Sequence, residues 1–190
     1  MKRRILIIVK KGRIMQMNKK RMYIVIVLVF VVSLVKTNKV YAASDPDAQD
    51  IVSGDWQYWV KEGEAYIDNY LGKDTSITIP SVLDGFTVTK IDYYCFSRCD
   101  VAKSIQSVTI PASVKEICPD AFAECINLKQ VNLNEGLEVI GGAAFYKCEA
   151  IEKIVLPDGL KKIGWCAFSR CISLDEIIFP DSLESIEDQA

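Results

Sequence analysis

The amino-acid sequence predicts a β-rich solenoid, with short parallel strands stacked coil on coil and little helix. Three observations predict it. A 23-residue unit recurs without a gap over residues 109–131, 132–154 and 155–177. Equivalent positions of each unit keep the same apolar residue types, as in Phe122, Phe145 and Phe168. The stretch closing each unit alternates apolar and polar residues, the period of a half-buried strand. A fixed repeat period of this length is the mark of stacked structural units.

The chain has 190 residues, half of them hydrophobic, which excludes a disordered polypeptide. It divides into unlike parts. Residues 1–43 hold 11 of the 23 basic residues and none of the 25 acidic ones. The remaining 147 residues carry 12 basic and 25 acidic groups, a net charge of −13. An acidic body excludes phosphate-backbone binding, so no nucleic-acid partner is expected. The chain has no histidine, which removes the usual general base and the commonest metal ligand.

Residues 1–43 read as a secretory signal. A basic run, Asn18-Lys19-Lys20-Arg21, precedes the uncharged Met22–Val35 stretch, and small residues follow at Ala42 and Ala43. The apolar run is short for a spanning helix, which needs about 20 residues, and suits a cleaved signal. Cleavage is expected after Ala42 or Ala43. An uncleaved anchor is the alternative, and membrane contact is expected only through this segment if it is retained. A second apolar run, Ile5–Val9, is superfluous to a signal, and Met17 would start a more ordinary one.

Residues 44–55 (SDPDAQDIVSGD) read as a linker. Residues 56–77 read as an N-terminal cap hairpin: Trp56, Tyr58 and Val60 alternate, Glu62-Gly63 marks a turn, and Ala65, Ile67 and Tyr70 follow. Its apolar face is expected to cover the first coil. Residues 78–190 form the repeat array. Its first unit, 78–108, is longer but keeps Ile91, Phe96, Cys99, Ile105 and Val108. The last unit begins at Ile178 and stops one residue before its expected Phe, so the array is expected to be C-terminally incomplete.

Four Phe-x-x-Cys pairs stand in register: Phe96/Cys99, Phe122/Cys125, Phe145/Cys148 and Phe168/Cys171. Ile117, Ile140 and Ile163 precede Phe in the gapless units, and Leu128, Ile151 and Leu174 follow Cys. This pattern resembles the BspA-type leucine-rich repeats of bacterial surface proteins, over roughly residues 78–190. Cys95 stands where such repeats usually carry Ala, and Asn134 where they carry Pro. The resemblance implies a right-handed leucine-rich repeat solenoid. It also implies a bacterial protein that is secreted or displayed on the cell surface, engaged in adhesion or host–matrix contact.

Within a coil, Val131 and Leu133 face inward between polar neighbours, and their equivalents should stack into one long parallel sheet. A second apolar stretch, such as Leu137 to Ile140, lines the return side. Phe fills the coil interior and Ala leaves room for the neighbouring Phe. One coil cannot stand alone, because its stability comes from the interfaces with the next.

All seven cysteines lie beyond residue 94. Four share one repeat position and read as a buried ladder bonded weakly to turn backbone. Cys95, Cys118 and Cys166 lie off that ladder. Cys95–Cys99 and Cys166–Cys171 lack zinc-site spacing, and no base accompanies any thiol. Asp175 and Glu176 adjoin on a strand and point to opposite faces, so they cannot flank one glycosidic bond unless the strand is bulged. No metal, cofactor or catalytic residue is therefore expected, and the protein is not expected to be an enzyme.

The expected binding surface is the outward face of the sheet. Its ladders run Ser107, Gln130, Lys153, Glu176 and Thr109, Asn132, Val155, Ile178. Val155 and Ile178 are apolar where water should be, the composition of a protein-contact patch. A second row, Arg98, Glu124, Lys147 and Arg170, carries both signs of charge and is expected to form cross-coil ion pairs. The reading is a module that binds an extracellular protein or glycan. A repeat array leading a larger secreted enzyme, or a passive surface spacer, are the alternatives.

Overall fold

The computed structural model describes residues 49–190. The signal segment, its cleavage point, Met17 and the first residues of the linker lie outside the described residues. The fold is a β-solenoid of about five turns. Its only helical element among the described residues is the 3-10 turn Ala102–Ser104.

The chain opens with β1 (Ile51–Ser53), β2 (Trp56–Lys61) and β3 (Glu64–Tyr70). β2 and β3 form an antiparallel hairpin, and Glu62 and Gly63 turn it with positive φ. β1 pairs antiparallel with β2. A strand thus occupies part of the stretch whose composition reads as linker, because Ile51 packs on the core while Val52 faces out.

β4 (Ser76–Thr78) starts the first coil, so array pairing begins within the segment read as cap. β5 (Val82–Leu83) and β6 (Phe86–Ile91) form a small hairpin that accounts for part of the extra length of the first unit. Each later coil contributes one strand to each of two sides. The first side holds β7 (Ser107–Thr109), β9 (Gln130–Asn132), β11 (Lys153–Val155) and β13 (Glu176–Ile178). The return side holds β8 (Glu116–Ile117), β10 (Val139–Ile140), β12 (Lys162–Ile163) and β14 (Ser185–Ile186).

The return side is the continuous one. It runs β1-β2-β3-β6-β8-β10-β12-β14, with β5 beside β6, making nine strands. The cap hairpin therefore joins edge-on, β3 pairing parallel with β6. The first side, expected to be one long sheet, is divided. β4-β7-β9 form one sheet and β11-β13 another.

The core is one column of buried side chains between these sides. Phe96, Phe122, Phe145 and Phe168 stack with centroids 4.6, 5.2 and 5.5 Å apart and planes within 8° of parallel. These separations suit offset stacking. The ring of one coil thus lies on the ring of the next. Trp56 and Tyr70 of the hairpin close the column, their centroids 6.3 and 6.0 Å from that of Phe96. Trp59 donates to the buried Asp92 carboxylate at 2.8 Å, tying the cap to the first coil.

The cysteine ladder lies beside the rings. Cys148 and Cys171 donate to the carbonyls of Phe122 and Phe145, one coil back, at 3.2 and 3.1 Å. Cys125 reaches the Phe96 carbonyl at 3.9 Å, and Cys99 donates to Phe96 within its own turn at 3.2 Å. All seven cysteines are free and buried. Burial pushes the thiol of Cys171 up to about 11 and those of Cys118, Cys125 and Cys148 higher.

Candidate surface and cleft on the divided sheet

The ladders predicted as binding surface lie on the divided side. Register sets Gln130 beside Ser107 and Asn132 beside Thr109 across β7 and β9. It sets Lys153 beside Glu176 and Val155 beside Ile178 across β11 and β13. Strand alternation sends these side chains outward while Val131 and Ile154 go to the core.

The outward face has two chemistries. On β7 and β9, Gln130 donates to Asn132 Oδ1 at 3.1 Å, and Asn132 donates to Thr109 Oγ1 at 3.2 Å. This chain of polar groups orients the Asn132 amide. On β11 and β13, Lys153 pairs with Glu176 at 2.7 Å, while Val155 and Ile178 stand side by side, 53% and 44% exposed. Glu176 is thereby engaged in an ion pair, and its neighbour Asp175 precedes the strand.

Between the two chemistries the sheet opens. No strand pairing joins β9 to β11. Elsewhere the corner bonds are kept: Lys129 N–H donates to Gln106, Asp175 N–H to Glu152, and Ile110 N–H to Asn132. Their counterparts between Glu152 and Lys129, and between Leu133 and Val155, are missing. A cleft of about 590 Å³ fills the gap. Gln130, Asn132, Lys153 and Val155, four of the seven predicted residues, line it; Thr109 lies one strand further out on β7, and Glu176 and Ile178 one strand further out on β13.

Asn134 stands at the corner beside the opening. Pro111, Pro157 and Pro180 fill this position in the other coils. The Asn134 side chain instead donates to the Ile110 carbonyl, one coil back. A proline has no donor for such a bond. The coil is thus held toward its N-terminal neighbour, on the side away from the opening. Residues outside the strands, Lys129, Glu135, Glu152 and Asp158, also line the cleft. Alternation does not point to them, and Asn134 was the available signal.

In the charged row at the turns, Lys147 pairs with Glu124 at 2.8 Å. Arg98 lies over Tyr94 and Arg170 over Tyr146, at 5.0 and 5.8 Å from the ring centroids, and Arg98 also donates to the Tyr93 carbonyl. Among the described residues, no three His, Cys, Asp or Glu side chains converge to hold a metal ion.

A two-sided parallel solenoid with a column of Phe and Cys defines a leucine-rich repeat protein. Six copies of the BspA type leucine rich repeat region match residues 89–190, and the chain belongs to that bacterial repeat family. Among solved structures it is similar to the T. pallidum leucine rich repeat protein TpLRR, at 31% identity and a TM-score of 0.66. That match covers 73% of this chain and 64% of TpLRR. A leucine rich cell surface protein from Faecalibacterium prausnitzii matches at 28% identity and a TM-score of 0.56, over 77% of this chain and 46% of that one. The pneumococcal vaccine antigen PcpA matches at 26% identity and a TM-score of 0.54, over 71% and 39% respectively. The chain thus spans less than two thirds of each of these three. No curated protein matches it.

Proposed function

We propose that this chain is an adhesion-type binding module, secreted or displayed on the cell surface, which holds an extracellular protein or glycan on its divided sheet. One observation carries the reading. Val155 and Ile178 form an exposed apolar pair, in register, beside a polar cleft on the outward face. A buried anchor ringed by polar groups is how protein surfaces concentrate binding energy. The segment over residues 1–43 supplies the route out of the cell, and the relatives described as surface proteins agree with that destination.

The test is adhesion of beads coated with the protein to host-cell and glycoprotein layers. Val155→Lys with Ile178→Lys should lower retention at least tenfold. Lys115→Glu, beside the return-side sheet, should leave it unchanged. Equal retention by all three proteins would remove the outward face as the binding surface.

A further inference from the structure

We infer that the cleft between β9 and β11 is a subsite for a neutral, hydroxyl-rich ligand, one or two residues of an oligosaccharide. This inference rests on the outward sheet face being the binding surface.

The first argument is backbone chemistry. In a parallel ladder, alternate residues serve opposite neighbours. Asn132 accepts from Ile110, so Gln130 and Asn132 turn their backbone groups to β7. Leu156 donates to Ile178 and Glu152 accepts from Asp175, so the even-numbered residues of that coil serve β13. The N–H and C=O groups of Val131 therefore face those of Lys153 and Val155 across the gap, with no ladder bond between them. Unpaired backbone groups need water or a ligand. A ligand that answers both kinds must itself donate and accept, as a hydroxyl does.

The second argument is charge. Two lysines, Lys129 and Lys153, and three carboxylates, Glu135, Glu152 and Asp158, surround the opening. Lys153 is already paired with Glu176, so the rim is net acidic and turns away a polyanion. The amides of Gln130 and Asn132 add both donors and acceptors. The exposed Val155 side chain gives one wall apolar surface, suited to the C–H face of a pyranose ring.

The third argument is width. β9 and β11 keep Cα pairs within 8 Å. Neighbouring strands need 4.7–4.9 Å each, so an inserted strand would need about 9.5 Å. A peptide cannot add to this sheet as a strand. The volume of about 590 Å³ falls within the range of small-ligand sites.

The experiment applies the whole protein to an array of neutral and acidic oligosaccharides and titrates the best neutral one. Amide NMR signals of Val131, Lys153 and Val155 should move with saturation. Asn132→Leu and Val155→Asp should each weaken that binding at least tenfold, with the amide spectrum otherwise kept. No neutral glycan bound, acidic glycans alone bound, or equal affinity in both variants would each overturn the inference. Ile178→Lys separates the two proposals. If it abolishes bead adhesion while the array stays blank, the cleft inference fails and the adhesive face stands. If adhesion is indifferent to Ile178→Lys as well as to the double substitution, the adhesive reading itself fails.

Discussion

Phe145 shows what each coil asks of a single residue. Its ring is fully buried between Phe122 and Phe168. Removing it leaves a cavity that neighbouring rings cannot fill without breaking their own stack. Phe145→Ala should therefore cost about 3–5 kcal/mol, read from urea denaturation. Cys148 shows a different dependence. Burial raises its thiol, and those of Cys118, Cys125 and Cys171, above the ordinary value of 9.0. A raised acid favours the folded state only while it stays protonated. That stability is fully present below about pH 9 and is lost as pH climbs through the folded values, beginning with Cys171 near 11. The urea midpoint should accordingly fall between pH 9 and 11. At neutral pH no thiol should react readily with a bulky disulfide reagent, and all seven should react in urea.

At the scale of the element, the two sides of the coil differ in how tightly they approach. Gly141 lets the return-side corner close. A Cβ there would lie 2.5 Å from the backbone nitrogen of Pro119, which cannot move alone. Gly141→Ala should cost about 1–3 kcal/mol by overpacking. Gly142→Ala meets its nearest atom at 3.2 Å and should cost much less. Comparing the two melting curves checks this. The same contrast explains what could be read beforehand. Phe and Cys recur every 23 residues because the core column repeats, so the coil and its ladder were legible from spacing. The return-side strands are two residues long, too short for alternation to register, and their continuity into the cap hairpin could not be seen. The linker hid β1 for a similar reason, since three residues in a polar stretch carry little pattern. Four of the cleft-lining residues were legible as outward positions. The cleft itself was not, because the repeat length never changes there and Asn134 is a single departure from the proline of the other coils.

For the whole molecule, the division of one sheet poses a question of cooperativity. A break between β9 and β11 could split the solenoid into two folding units. Two features oppose that. The return-side sheet runs unbroken from β6 through β14, and the ring column passes the gap with Phe122 on Phe145. Repeat proteins stay cooperative while neighbour interfaces outweigh the instability of single coils, and both continuous features are interface terms. The cleft should therefore loosen one side without uncoupling the array. Amide exchange reads this directly. The Cys118 N–H bonds Ile91 on the N-terminal side of the gap, and the Gly164 N–H bonds Ile140 across the coil junction that carries it. In the native protein both should exchange with the same opening free energy. Phe145→Ala should lower the two values by equal amounts, because losing one coil uncovers both neighbours. If Gly164 loses protection while Cys118 keeps it, the gap is a true boundary, and binding in the cleft would then act on the joint between two independently stable halves.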